Sequence, residues 1–156
     1  MRIVKYKTKL ATDGKAILEK ELSVNYPEMD RRMNRPDKIV QFARDYIRIH
    51  ENSEEYLYML CLNTKLQMTS MFELSHGNVN SSILSVRETL QKALLANAVN
   101  IIVLHNHPSG DPTPSREDIN VTLRLVDAGR IVGVELIDHI IVGRPGYVSL
   151  KEKGHI

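Results

Sequence analysis

Apolar and polar positions alternate along RIVKYKTKLA and again along KAILEKELSV, and Thr12-Asp13-Gly14 separates the two runs. A period of two is the mark of a strand with one buried face, and Asp-Gly between two such runs is a hairpin turn, so the chain is expected to open as a β-hairpin. Tyr26 to Arg35 mixes Pro, Asn and charge without period and reads as a connector. In PDKIVQFARDYIRIH the apolar residues Ile39, Val40, Ala43 and Ile47 fall at helical spacing, predicting one amphipathic helix with Asn34 or Asp37 as its cap. The polar stretch His50-Glu51-Asn52-Ser53 then marks a soft boundary.

Beyond it, Tyr56 to Leu62 and Gln67 to Leu74 are rich in β-favouring residues and are joined by Asn63-Thr64-Lys65, which predicts a second hairpin. Ser85-Val-Arg-Glu88 has the capping-box pattern, and Val86, Leu90, Ala93 and Leu94 continue it as a helix with one apolar stripe. Asn100 to His105 is a short continuous apolar run, the signature of a buried strand. The Pro/Gly-rich loop HPSGDPTP follows. Ile119, Leu123 and Val126 then repeat at helical spacing from Arg116 to Ala128, with Gly129 as the expected left-handed cap. Val132 to Val142 is β-branched and apolar, and Tyr147 to Leu150 adds an edge strand. Strands and helices alternate without an internal repeat. The expected class is α/β, a mixed sheet flanked by helices.

Composition narrows the setting. The 156 residues, 42% hydrophobic and 26% charged, describe a globular chain of ordinary domain size rather than a disordered or low-complexity polymer. Residues 1–50 are expected to form an N-terminal extension of hairpin, connector and helix on or beside a domain spanning 51–156. A single cysteine, Cys61, can neither close an internal disulfide nor supply a zinc cluster held by several thiolates, which suits a reducing compartment. The polar amino terminus lacks the apolar core of a signal peptide, and no apolar run approaches bilayer length, so the expected location is cytoplasmic, with no membrane partner. Net charge is +2, but residues 1–50 carry 12 Lys/Arg against 7 Asp/Glu, net +5, and residues 51–156 carry 9 against 12, net −3. The basic arm is a solvated surface or a docking arm for an acidic partner.

The densest chemistry lies in His105-Asn-His107-Pro-Ser-Gly-Asp-Pro-Thr-Pro-Ser115-Arg-Glu-Asp118. Strand alternation sends His105 and His107 to the same side at the end of a buried strand. The loop turns the chain back, and the first turn of the next helix can bring a carboxylate to the same spot. Two neutral imidazoles and one carboxylate make a three-ligand set for Zn²⁺ with the fourth tetrahedral position open, the arrangement of a catalytic zinc. Each fragment also has an ordinary meaning: Ser-x-x-Asp caps a helix, and a strand histidine is commonly a satisfied core or rim residue. Their conjunction is what points to a metal.

At these residues the sequence resembles the JAMM metallopeptidase signature, His-x-His-Pro followed after six residues by Ser-x-x-Asp, here His105, His107, Pro108, Ser115 and Asp118. HNHPSGDPTPSRED and VELIDHIIVGRPGYVSL are similar to the RadC branch of that superfamily, a likeness running from about Glu54 to Lys151. The resemblance implies an MPN/JAB-type fold with the layered architecture also seen in cytidine deaminases. It implies that His105, His107 and Asp118 ligate zinc and that a metal-activated water attacks a carbonyl. It implies an upstream glutamate as general base; placing Lys65 as the turn lysine makes that residue Glu55, with Glu54 the competitor. Ser115 would stabilise the oxyanion through its hydroxyl.

Other readings carry less. The letters His-Asn-His stand consecutively, whereas the nuclease class of that name spreads its three residues over a ββα unit. Zinc deaminases need Pro-Cys-x-x-Cys, which one cysteine cannot provide. Cys61 lies in an apolar strand and reads as an inert buried thiol. His139 reads as a sheet residue with a satisfied ring, or a support behind the ligands, rather than a fourth ligand. The expected function is therefore a zinc-dependent hydrolase acting on a peptide, protein or isopeptide substrate. The alternative is a DNA-repair-associated accessory protein with a structural or vestigial metal site. Residues 1–50 do not read as the helix-hairpin-helix-like region usual in full-length RadC proteins, so direct nucleic-acid binding is not favoured. Self-association through an exposed strand edge of the N-terminal arm is a further expectation.

Overall fold

The computed structural model describes residues 2–26, 32–77 and 84–156. Most of the connector after Tyr26 lies outside the described residues, as does most of the stretch between His76 and Ser82, the one insertion-like segment of the sequence. Two strands, β1 (Arg2–Leu10) and β2 (Ala16–Asn25), form the opening hairpin. Its turn is closed by Gly14 N–H donating to Ala11 O at 2.9 Å, and Gly14 sits at φ +79°, a conformation that glycine adopts without penalty. Helix α1 (Pro36–Phe42) leads to β3 (Glu55–Leu62) and β4 (Met68–Gly77), joined by a turn in which Asn63 Oδ1 accepts from the backbone of Lys65 and Gln67. Then come α2 (Val86–Leu95), β5 (Asn100–Asn106), α3 (Arg116–Val132), β6 (Glu135–Val142) and β7 (Tyr147–Ser149).

Among the described residues, seven strands make one mixed sheet in the order β2-β1-β4-β3-β5-β6-β7, parallel at β1/β4 and β5/β6 and antiparallel elsewhere. Its two faces bury separate apolar clusters. On one, Phe42, Ile39 and Ile49 pack on Leu60, Leu62, Ile102 and Leu104. On the other, Leu90 and Ala93 of α2 and Leu125 of α3 pack on Leu57, Met59, Ile101 and Val103. Strand β5 is buried along its whole length, which is why its sequence runs apolar without alternating. The opening hairpin joins this sheet through a short parallel register, Val4 to Tyr6 against Ser70 to Phe72.

Three local expectations are corrected. Neither Asn34 nor Asp37 caps α1: the cap is Arg35, with no side-chain cap bond and Pro36 opening the helix, while Asp37 pairs with Arg35. The single helix predicted through His50 is α-helical only to Phe42. It widens into a π-helical turn at Ala43–Ile47, reverses at Arg48 (φ +56°) and ends in a short 3-10 turn that returns Ile49 to the core. Gly129 does not cap α3, which continues to Val132 and ends on Gly133 at φ +76°. Gly129 is there because the returning chain crosses the helix: a Cβ at 129 would lie 2.3 Å from Val134 O.

Candidate metal centre

Four side chains from three parts of the chain converge at the end of β5. His105 and His107 leave the strand on the α3 side, and their Nε2 atoms stand 2.9 Å apart. The first turn of α3 brings Asp118 to them, with Oδ1 3.6 Å from His105 Nε2 and Oδ2 3.6 Å from His107 Nε2. Strand β3 is the antiparallel neighbour of β5, with Leu57 opposite His105, so Glu55 falls on the same face one step further along and its Oε1 is 3.9 Å from His105 Nε2. One donor atom from each of Glu55, His105, His107 and Asp118 lies within 4.8 Å of all the others. This group could hold a metal ion. The neighbouring Glu54 is exposed.

The direction of the hydrogen bonds shows why a cation suits the point. His107 Nδ1 is 2.8 Å from Asp111 O, an acceptor only, so that nitrogen carries the proton and the Nε2 of the neutral ring presents a lone pair. His105 Nε2 faces it across 2.9 Å. Two imidazole lone pairs at that distance repel unless a proton or a metal ion sits between them. Tetrahedral ligands about 2.0–2.1 Å from zinc lie about 3.3 Å apart, so the rings need part by only a few tenths of an ångström.

The charges agree. The Asp118 carboxylate beside it raises the affinity of His107 for a proton, with burial opposing. Burial would push the Asp118 carboxyl up, yet the His107, His105 and Ser115 contacts outweigh it and hold the group well below the usual carboxylate range. His105 is 1% exposed, and burial together with the neighbouring His139 drives its pKa well below that of a free imidazole, leaving the neutral form, the one able to bind a metal ion. Burial also raises the Glu55 pKa, with His107 opposing and Asp118 reinforcing. A carboxyl whose proton affinity is raised inside a cluster of titratable groups is a mark of a candidate functional site.

Ser115 sits at the rim as the N-cap of α3. Its Oγ accepts from Asp118 N–H at 3.1 Å and donates to Asp118 Oδ2 at 2.7 Å, while that same oxygen accepts from Ser115 N–H at 2.8 Å. The cap thus also orients the carboxylate at the cluster. The loop between His107 and Ser115 is fastened from outside: Arg144 donates to Pro108 O at 3.1 Å, and Arg44 donates to Gly143 O and Gly146 O. Gly143 permits this approach, since a Cβ there would stand 2.4 Å from Gly110 O.

Sequence reasoning missed Asn106, whose buried side chain accepts from Tyr56 N–H and donates to Glu54 O across the start of β3. It also missed the contact that Thr122 makes with His139 behind His105. The signal for Asn106 was present in its place between the two histidines; nothing in the sequence pattern marked Thr122. Cys61 is fully buried, its thiol pushed up to about 12 by burial, as an inert thiol should be.

An α/β layer structure with a mixed sheet, His-Asn-His-Pro at the end of an interior strand and Ser-x-x-Asp opening the following helix is a JAB/MPN-type domain. Residues 33–155 match the RadC-like JAB domain, and the chain belongs to that family. It is 48% identical over 130 residues to a UPF0758 protein of Halalkalibacterium halodurans, covering 83% of this chain and 55% of that protein. It is 49% identical over 121 residues to a UPF0758 protein of Bacillus cereus, covering 78% and 53%. A UPF0758 protein of Bacillus anthracis is 55% identical over 103 residues, covering 66% and 46%. The chain spans about half the length of these relatives. Among the described residues, no helix is long and apolar enough to cross a membrane.

Proposed function

We propose that this domain is a zinc-dependent hydrolase of amide bonds, a peptidase or isopeptidase. The observation that carries the reading is the convergence of two imidazole Nε2 atoms, the Asp118 carboxylate and the Glu55 carboxylate within 4.8 Å of one another. His105, His107 and Asp118 would hold the ion. Bound there, zinc supplies a Lewis acid that polarises a carbonyl and brings the pKa of water down to about 7. Glu55 accepts the proton of the attacking water and delivers it to the leaving nitrogen, a role that its burial and raised proton affinity favour. Ser115 donates its hydroxyl hydrogen bond to the carbonyl oxygen as negative charge develops, turning away from Asp118 to do so.

Elemental analysis of untagged protein, followed by a peptide-library cleavage assay with zinc restored, tests the proposal. The expected result is one zinc per chain and cleavage that chelator abolishes. Stoichiometric zinc without cleavage of any peptide or isopeptide-linked substrate would overturn the hydrolase reading, and absence of zinc binding would overturn the metal site itself.

A further inference from the structure

Behind His105 a chain of hydrogen bonds runs into helix α3 and back to the metal cluster. His105 Nδ1 is 2.8 Å from His139 Nε2, and His139 Nδ1 is 2.6 Å from Thr122 Oγ1. Thr122 Oγ1 is in turn 2.5 Å from Asp118 O. His105, Thr122 and His139 are all buried, so water does not substitute for these partners.

The polarity of the chain follows from its far end. Asp118 O is a carbonyl and can only accept, so the Thr122 hydroxyl proton points to it and the Thr122 oxygen is left as an acceptor. His139 Nδ1 must then donate to Thr122, and its Nε2, bare in the neutral ring, must accept. His105 Nδ1 therefore donates to His139, and the only lone pair left on His105 is at Nε2, aimed at the cluster. We propose that Thr122 and His139 are positioning residues that fix the tautomer and ring angle of His105, so that His105 offers an unprotonated Nε2 to a metal ion. The inference rests on the metal-site reading above and adds to it what holds one ligand in its binding form. It also ties two ligands together, because Asp118 anchors the relay through its carbonyl and faces the cluster through its carboxylate.

Strand irregularity is what brings His139 into this chain. In the β5/β6 register Ile101 faces Leu136 and Ile102 faces Asp138, so Ile137 is an extra residue. Without that bulge, Leu136 and His139, three positions apart, would point to opposite faces. With it, Leu136 packs in the α2/α3 cluster and His139 reaches Thr122 of α3 on the same side. A bulge beside a functional centre that re-aims one side chain is a recurring device.

The test uses the whole chain with Thr122→Val, which keeps shape and removes the hydroxyl, Thr122→Ser, which restores it, His139→Gln, which keeps an acceptor toward His105, and His139→Ala, which removes it. Zinc affinity is measured by competition with a chromogenic chelator, and the His105 tautomer by ¹⁵N NMR on metal-free wild-type protein. The expected results are a 10–100-fold loss of zinc affinity in Thr122→Val, near wild-type affinity in Thr122→Ser, a smaller loss in His139→Gln than in His139→Ala, and protonation of His105 at Nδ1. Thr122→Val within twofold of wild type, or a metal-free His105 protonated at Nε2 instead, would overturn the relay. If wild-type protein binds no zinc, the metal-site reading fails, while the NMR tautomer still decides the relay.

Discussion

Asn106 brackets Glu55 through the backbone of its two chain neighbours. Its Oδ1 accepts from Tyr56 N–H at 2.8 Å and its Nδ2 donates to Glu54 O at 2.9 Å, so one buried amide grips the backbone on both sides of the glutamate that faces the cluster. Strand β5 ends here, and the side chain takes over the cross-strand bonding that the backbone no longer supplies. Asn106→Ala should cost about 1–3 kcal/mol, because two backbone groups lose their partners. Urea unfolding checks it. Zinc stoichiometry should survive the change, since none of the three proposed ligands is altered; a loss of zinc equal to that of a ligand variant would show that Asn106 supports the histidines rather than Glu55.

Ligand and base should separate by mutation. His107→Ala removes one of two imidazoles and is expected to abolish stoichiometric zinc, whereas Glu55→Gln should leave zinc bound and remove hydrolysis. Elemental analysis beside a cleavage assay gives both readouts. Turnover retained in Glu55→Gln would return the assignment to Glu54, the other residue of the Glu-Glu pair.

The opening hairpin is fastened to the domain by an ion cluster whose contribution depends on pH. Lys5 Nζ lies 2.9 Å from Glu73 on β4 and 2.9 Å from Glu21 on β2. Burial pushes the Glu73 carboxyl up, but hydrogen bonds from Lys5 and His76 outweigh it and leave its pKa below the ordinary 4.5. A carboxyl depressed in the folded state adds stability above its unfolded pKa and loses it as pH falls through the folded value. Lys5→Met should therefore cost roughly 1–3 kcal/mol near pH 7. The gap from wild type should close as pH falls below the ordinary carboxyl value of 4.5 and through the lower folded value of Glu73. Chemical denaturation at several pH values measures it, and a gap independent of pH would show that the lysine stem, not its charge, matters.

Gly129 offers a test in which two effects oppose. Helix propensity alone predicts that alanine at an interior helical position gains about 1 kcal/mol over glycine. The methyl group would meet Val134 O at 2.3 Å, and that carbonyl belongs to backbone that cannot swing away as a side chain would. Overpacking of this kind costs about 1–3 kcal/mol, so Gly129→Ala should destabilise on balance. A rise in Tm would show that the α3/β6 connection yields.

The parts of the centre that are near in sequence were legible in the sequence. His105 and His107 share a face because the strand period is two, and Asp118 stands in the first turn of α3 because Ser115 caps it. Glu55 lies fifty residues before His105, and no periodicity connects them; only the resemblance nominated it, and only the β3/β5 pairing brings it beside the rings. Gly129 shows the converse difficulty, for a glycine that local rules read as a stop signal is explained by a contact with the next strand.

The sequence by itself determined the alternation of strands and helices, the class of the fold and the spacing of the two histidines, since these depend on propensity, period and caps within a few neighbouring residues. The tertiary structure decided the order of strands, the union of the N-terminal hairpin with the sheet through β1 and β4, and the inward turn of His139 at the Ile137 bulge. Those outcomes depend on which distant backbones pair and in what register, and a one-residue slip there exchanges one face of a strand for the other.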